Sequence, residues 1–150
     1  MSLTDQIARD LIAAMKAKET VKLEALRAAK TAFILVRSEK GAASQLSNDE
    51  ELKVMQKLVK QRRESATIYR EQNRPDLYEK EEAEADILEK YLPARMNDDE
   101  LTAAVKNLIE KTGAKGPSDM GKVMGAASKE LAGKADGKDI AAKVKQILGL

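Results

Sequence analysis

The chain has 150 residues, with 27 lysines and arginines against 25 aspartates and glutamates, for a net charge of +2. It contains neither cysteine nor histidine, which excludes disulfides, thiolate nucleophiles and thiolate metal sites and removes the commonest general base and metal ligand. The start, MSLTDQIARDL, lacks a secretory pattern, and no stretch approaches the roughly 20 apolar residues that cross a bilayer; a soluble cytoplasmic protein without membrane, metal or cofactor is the expectation.

Residues 2–18 are predicted helical, with Leu3, Ile7, Leu11 and Met15 on one face. Residues 20–39 form a second helix, with Leu23, Leu26, Ala29, Phe33 and Val36 spaced by threes and fours. Residues 41–48, GAASQLSN, are small and polar and read as a loop. Ser47 and Glu50 make a capping-box pattern. It opens a long third helix to about Arg74, whose seam is Leu52, Met55, Val59, Arg62, Ala66 and Tyr69. Pro75 stops that helix and suits the first turn of a fourth. The fourth runs to about Leu92, with Tyr78, Glu81, Ala85, Leu88 and Leu92 as its seam.

The short connection makes helices three and four antiparallel neighbours, so facing residues have numbers of nearly constant sum. Tyr69 then faces Tyr78, Val59 faces Leu88 and Met55 faces Leu92. Beside this apolar seam Arg70 faces Glu79, Arg63 faces Asp86 and Lys60 faces Glu89. Arg62 and Glu81 fall on the seam itself and are expected to form a buried or half-buried ion pair, with a polar binding spot as the alternative. The basic residues Lys53, Lys57, Lys60, Arg62, Arg63, Arg70 and Arg74 thus read as one side of an internal charge zip, with an RNA face as the alternative. The acidic run Glu79, Glu81, Glu82, Glu84, Asp86 and Glu89 reads as the other side rather than as a metal cluster.

Residues 93–97 are the expected boundary between a domain over residues 1–96 and a smaller one over residues 97–150. Asn97 and Glu100 form another capping pattern. The fifth helix carries Leu101, Val105, Leu108 and Ile109 and ends near Gly113. Two short helices follow from Pro117. The first has Ser118 as its expected N-cap and carries Met120, Val123, Met124, Ala127 and Leu131. The second has Asp136 as N-cap and carries Ile140, Val144, Ile147 and Leu148. Gly133 suits a left-handed helix end. Gly121 and Gly125, inside a helix, point to close packing against a neighbouring helix, or else to approach by a ligand. No segment has period-two alternation, so no sheet is expected. The fold class is all-α: a four-helix N-terminal domain with a long antiparallel hairpin, plus a small C-terminal three-helix domain.

Residues 113–150 hold seven lysines against four acids, a net of +3. Lys115, Lys122, Lys134, Lys138 and Lys143 are the candidate nucleic-acid contacts. Lys134 and Lys138 flank a glycine-containing helix start, where free N–H groups and the helix dipole favour a phosphate. No aromatic lies in residues 97–150, so base stacking is not expected there.

The runs Asp119-Met120-Gly121-Lys122-Val123-Met124-Gly125 and Gly133-Lys134-Ala135-Asp136-Gly137-Lys138 resemble the GatB/YqeY family. So do Lys60-Gln61-Arg62-Arg63-Glu64-Ser65, Arg74-Pro75-Asp76-Leu77 and Tyr91-Leu92-Pro93. The resemblance covers nearly the whole chain and is closest to the stand-alone YqeY-like form. That family includes the C-terminal tail of the GatB component of the tRNA-dependent amidotransferase, a carbon–nitrogen ligase with glutamine as amide donor. The resemblance implies a tRNA-interacting accessory module; the rival expectation is a helical protein–protein adaptor, supporting such a ligase complex. No intrinsic activity is expected, since the chain has no cysteine to release ammonia from glutamine, no phosphate loop of the Walker type and no base dyad.

Overall fold

The computed structural model describes residues 2–41 and 43–150; Met1 and Ala42, the latter within the expected loop, lie outside the described residues. Among the described residues, seven α-helices and one short 3-10 turn make up the regular structure, with no strand. The chain divides into two compact units, the first ending at Leu92 and the second beginning at Pro93.

In the N-terminal unit, α1 spans Leu3–Ala17 and α2 spans Thr20–Lys40. The Ser2 hydroxyl caps α1 by accepting the Asp5 N–H at 3.1 Å. Lys18 closes α1 in the left-handed conformation, at φ 57°. The buried stripe of α1 is Ile7, Leu11 and Ala14, whereas Met15, expected inward, is 53% exposed. A helix turns every 3.6 residues, so a strict four-residue spacing drifts off the core face by its third step. On α2 the inward residues are Ala25, Leu26, Ala29 and Phe33.

α3 spans Asn48–Glu71 and opens as its sequence requires. The Glu50 N–H donates to Ser47 Oγ (3.2 Å) and the Ser47 N–H to Glu50 Oε2 (2.7 Å). Its buried stripe is Glu51, Met55, Val59 and Ala66; Leu52, assigned to the seam, is only half-buried. α4 spans Pro75–Glu89, three residues short of the expected end, although Tyr91 and Leu92 still pack on the core. Asn73, left-handed at φ 54°, makes the turn between α3 and α4. Met55, Val59, Ala85 and Leu88 join the α1 and α2 stripes in one core, as the apolar seam predicts.

The charged register is displaced. Arg63 does meet Asp86, Nη2 to Oδ1 at 2.7 Å, but it also takes Glu89 at 2.7 Å, leaving Lys60 without the partner assigned to it. Arg70 pairs with Glu82 rather than Glu79, and its guanidinium lies 5.1 Å from the centre of the Tyr78 ring. Helical side chains lean toward their own N-terminus. In an antiparallel pair both partners therefore reach toward larger index sums than their backbones show. On the seam, Arg62 pairs with Glu84 (3.1 Å) and not with Glu81. The seam's own register places residue 85 opposite Arg62, so Glu81 lies a turn away.

In the C-terminal unit, α5 spans Asp98–Thr112, capped by Asn97 Oδ1, which accepts the Glu100 N–H at 2.8 Å. Gly113 ends it at φ 68°. A 3-10 turn at Pro117–Asp119 leads into α6, Met120–Glu130, and α7 spans Gly137–Leu148. Leu101, Val105, Leu108, Val123, Ala127, Leu131, Ile140 and Val144 form the core. Arg95 and Met96, expected in the first domain, belong to this unit. The Met96 N–H donates to the Lys134 carbonyl at 2.9 Å, and Arg95 pairs with Asp136 at 2.9 Å.

Candidate nucleic-acid interface

The lysines of the C-terminal unit are placed by the segment that introduces α6. The Asp119 carboxylate, not Ser118, anchors this turn, accepting the backbone N–H groups of Lys115 (2.9 Å) and Gly116 (3.4 Å). These two backbone bonds hold the carboxyl below the usual carboxylate range, with smaller help from the charges of Lys122 and Lys115. One carboxylate thus gathers Lys115 and Lys122 around it. Both side chains are exposed.

Lys122 stands between Gly121 and Gly125. A Cβ added at either glycine would meet nothing within 4 Å. The expectation of close helix–helix packing is therefore corrected: α6 turns this face outward, and its Val123, Ala127 face inward. Lys122, Gly125 and Lys129 follow at spacings of three and four, so they share the outward face, and all three are exposed. Lys129 was recognisable by that spacing alone.

Lys134 is half-buried and Lys138 is exposed, in the first turn of α7. The helix start between them is not a bare anion site. Asp136 and Asp139 stand there, with Arg95 at 2.9 Å and 4.0 Å from them. A phosphate at this end meets two carboxylates as well as the helix dipole. Lys143 is drawn elsewhere: its side chain is 11% exposed and its Nζ bonds Asp98 Oδ1 at 2.7 Å, tying α7 to α5.

A further ion pair joins Lys111 to Glu130 at 3.7 Å. Lys115, Lys122, Lys129, Lys134 and Lys138 form none among the described residues. In the N-terminal unit the arginines of α3 are consumed by α4, but Lys53, Lys57 and Lys60 remain exposed and outside any ion pair among the described residues. The zip is an arginine zip, and these three lysines form a second cationic stripe that their spacing of four and three announces.

Two helical units, the second with exposed lysines and open glycine backbone on α6, define an all-α protein. The chain belongs to the Yqey-like protein family, whose model matches residues 4–148. It is similar to the altered inheritance of mitochondria protein 41, mitochondrial, of Pyrenophora tritici-repentis, 29% identical over 145 residues, covering 93% of this chain and 77% of that protein. The protein of the same name from Meyerozyma guilliermondii is 38% identical over 87 residues, covering 56% of this chain and 43% of that protein. No helix among the described residues is long and apolar enough to cross a membrane.

Proposed function

We propose that this chain is a non-catalytic accessory module that holds tRNA by its phosphates. Its contact surface is Lys122 on the outward face of α6, Lys115 in the segment before it, and Lys134 and Lys138 about the start of α7. The supporting observation is that these lysines lack ion-pair partners among the described residues, beside a helix whose Gly121 and Gly125 leave the backbone open. Unpaired ammonium groups attract phosphates without reading sequence. Lys143 serves by bracing α7 on α5. The family relation to the GatB tail of the amidotransferase favours tRNA over other polyanions. Both the cytoplasm, expected from the sequence, and the mitochondrial compartment in the relatives' names offer tRNA as a partner.

Four phosphate contacts give a slope of about −3 in log affinity against log salt, or roughly a fifty-fold loss between low and physiological salt. The test is a titration of labelled total tRNA at both salts, with the Lys122/Lys134/Lys138→Ala variant beside the parent. The expected result is salt-steep binding that the variant loses. If Lys53/Lys57/Lys60→Ala abolishes binding instead, the surface lies on α3 and the assignment is wrong. Absence of binding at either salt ends the RNA reading.

A second reading, a helical adaptor docked on a protein partner such as a glutamine-dependent ligase, draws on the N-terminal unit. Ile12, Met15, Ile34 and Leu35 are large apolar side chains more than half exposed. Binding through them resists salt. A salt-insensitive complex captured from cell extract and lost in Ile12/Leu35→Ser supports it.

A further inference from the structure

The N-terminal unit contains a cavity of about 340 Å³ where the first turn of α1 meets α2 and the start of α3. This is at the small end of the range of ligand sites. Its floor is Glu51, 2% exposed. Glu51 Oε2 accepts both the backbone N–H and the hydroxyl of Thr4, each at 2.6 Å. The other oxygen, Oε1, has no protein donor among the described residues. No buried side-chain oxygen among them lacks a partner, so Oε1 keeps a small accessible area, on a residue that lines the cavity.

Lys30 and Arg37 stand on the α2 wall, two helical turns apart. Arg37 Nε donates to the Ser44 carbonyl at 3.0 Å. That leaves its two terminal nitrogens, and the Lys30 ammonium, outside any ion pair among the described residues. Asp5 lines the α1 side. Two carboxylates and two cations thus line one space, Glu51 buried and Asp5, Lys30 and Arg37 exposed at its rim.

This composition selects among ligands. A plain anion meets Lys30 and Arg37 but is repelled by Glu51 and Asp5. The helix N-terminus offers it little, because the Thr4 N–H is taken by Glu51 and the Asp5 N–H by Ser2. A plain cation has the converse difficulty. A molecule with an ammonium at one end and a carboxylate at the other satisfies both pairs. The remaining wall is apolar: Phe33, Leu46 and Ile34 line it, and Ile34 is 55% exposed. An uncharged side chain on the ligand covers that surface and leaves the charges balanced.

We infer that this cavity is a binding site for a small zwitterion of the α-amino-acid class with an apolar side chain. Its ammonium faces Glu51 Oε1 and its carboxylate faces Lys30 and Arg37. The site stands independently of the tRNA surface.

The full-length ¹⁵N-labelled protein is titrated with free leucine, N-acetyl-leucine and leucinamide, following backbone amide shifts. Saturable shifts at Thr4, Ile34 and Gln45 are expected with leucine, and affinity at least about tenfold weaker for each derivative, since each lacks one charge. Lys30→Gln, at a side chain with no ion pair to lose, is expected to weaken leucine by a similar factor while leaving the amide spectrum otherwise unchanged. Should that variant fail to fold, the three-ligand comparison on the parent protein decides by itself. No shifts at millimolar leucine overturn the inference. So do equal shifts with all three compounds, which mark an apolar cleft, and undiminished binding of N-acetyl-leucine, which marks a simple anion site.

Discussion

The two units handle charge in opposite ways. In the N-terminal unit the arginines of α3 find carboxylates on α4. In the C-terminal unit the carboxylates Asp98, Glu130 and Asp136 are taken by Lys143, Lys111 and Arg95, leaving the α6 and α7 lysines over. An ion pair on a hairpin chooses its register, whereas an unpaired lysine on an open helix face is available to a polyanion. A near-neutral whole thus conceals one unit whose α3 arginines are turned inward, with Lys53, Lys57 and Lys60 left on its surface, and one that presents most of its lysines outward.

The largest expected effect breaks the inward unit. Glu84→Ala strands Arg62 between α3 and α4 and should lower stability by about 3 kcal/mol, read from urea unfolding. Glu84→Leu with Arg62→Met should recover most of it. Glu81→Ala should change little, and a loss equal to that of Glu84→Ala would return the seam pair to Glu81.

Tyr91→Phe comes next. The Tyr91 hydroxyl donates to Asp10 Oδ2, joining the end of the α4 segment to α1. Loss of a hydrogen bond to a charged acceptor should cost about 2 kcal/mol. Burial, then the bond to Asp10, pushes the phenol well above its ordinary range. Raised in the folded state, it contributes stability that is full below the ordinary tyrosine range and lost as pH rises through the folded value. Ultraviolet titration should show a tyrosine that ionises well above the ordinary phenol range and is lost in Tyr91→Phe.

In the outward unit, Gly121→Ala and Gly125→Ala should each raise stability by about 1 kcal/mol, because their added Cβ atoms meet only open space. If the backbone there approaches RNA, the same variants should weaken tRNA binding. Stabilised protein with unchanged binding leaves the lysines alone as the contact.

The smallest effect belongs to Asp119. With its carboxyl held low by backbone N–H groups, its contribution is present above the ordinary carboxylate range and is lost as pH falls through the folded value. A carboxyl-carbon titration should place it among the last carboxylates to protonate. An ordinary midpoint would show that the turn is not held as drawn.

Much of the helical framework is legible in the chain because its signals are local. Ser47 with Glu50, Asn97 with Glu100, Pro75 and Gly113 act within one turn of themselves, and the apolar stripes follow the helix period. The family motifs are likewise read from consecutive residues. What depends on side-chain direction is decided by packing. The lean of helical side chains moved Glu82 into the place expected for Glu79, and the seam register put Glu84 where Glu81 was expected. The accumulated difference between 3.6 and four residues per turn turned Met15 outward and Ala14 inward. Gly121 and Gly125 look alike whether a helix covers them or not, because a glycine records that something can approach and not what does. Glu51 lay in an acidic first turn typical of solvent-facing caps. Only the arrival of Thr4 from the start of α1 made it a buried carboxylate at the floor of a cavity, since the partner is 47 residues away and no local pattern encodes it. Local chemistry fixed where helices begin and end, and the tertiary structure decided which charges are left unpaired.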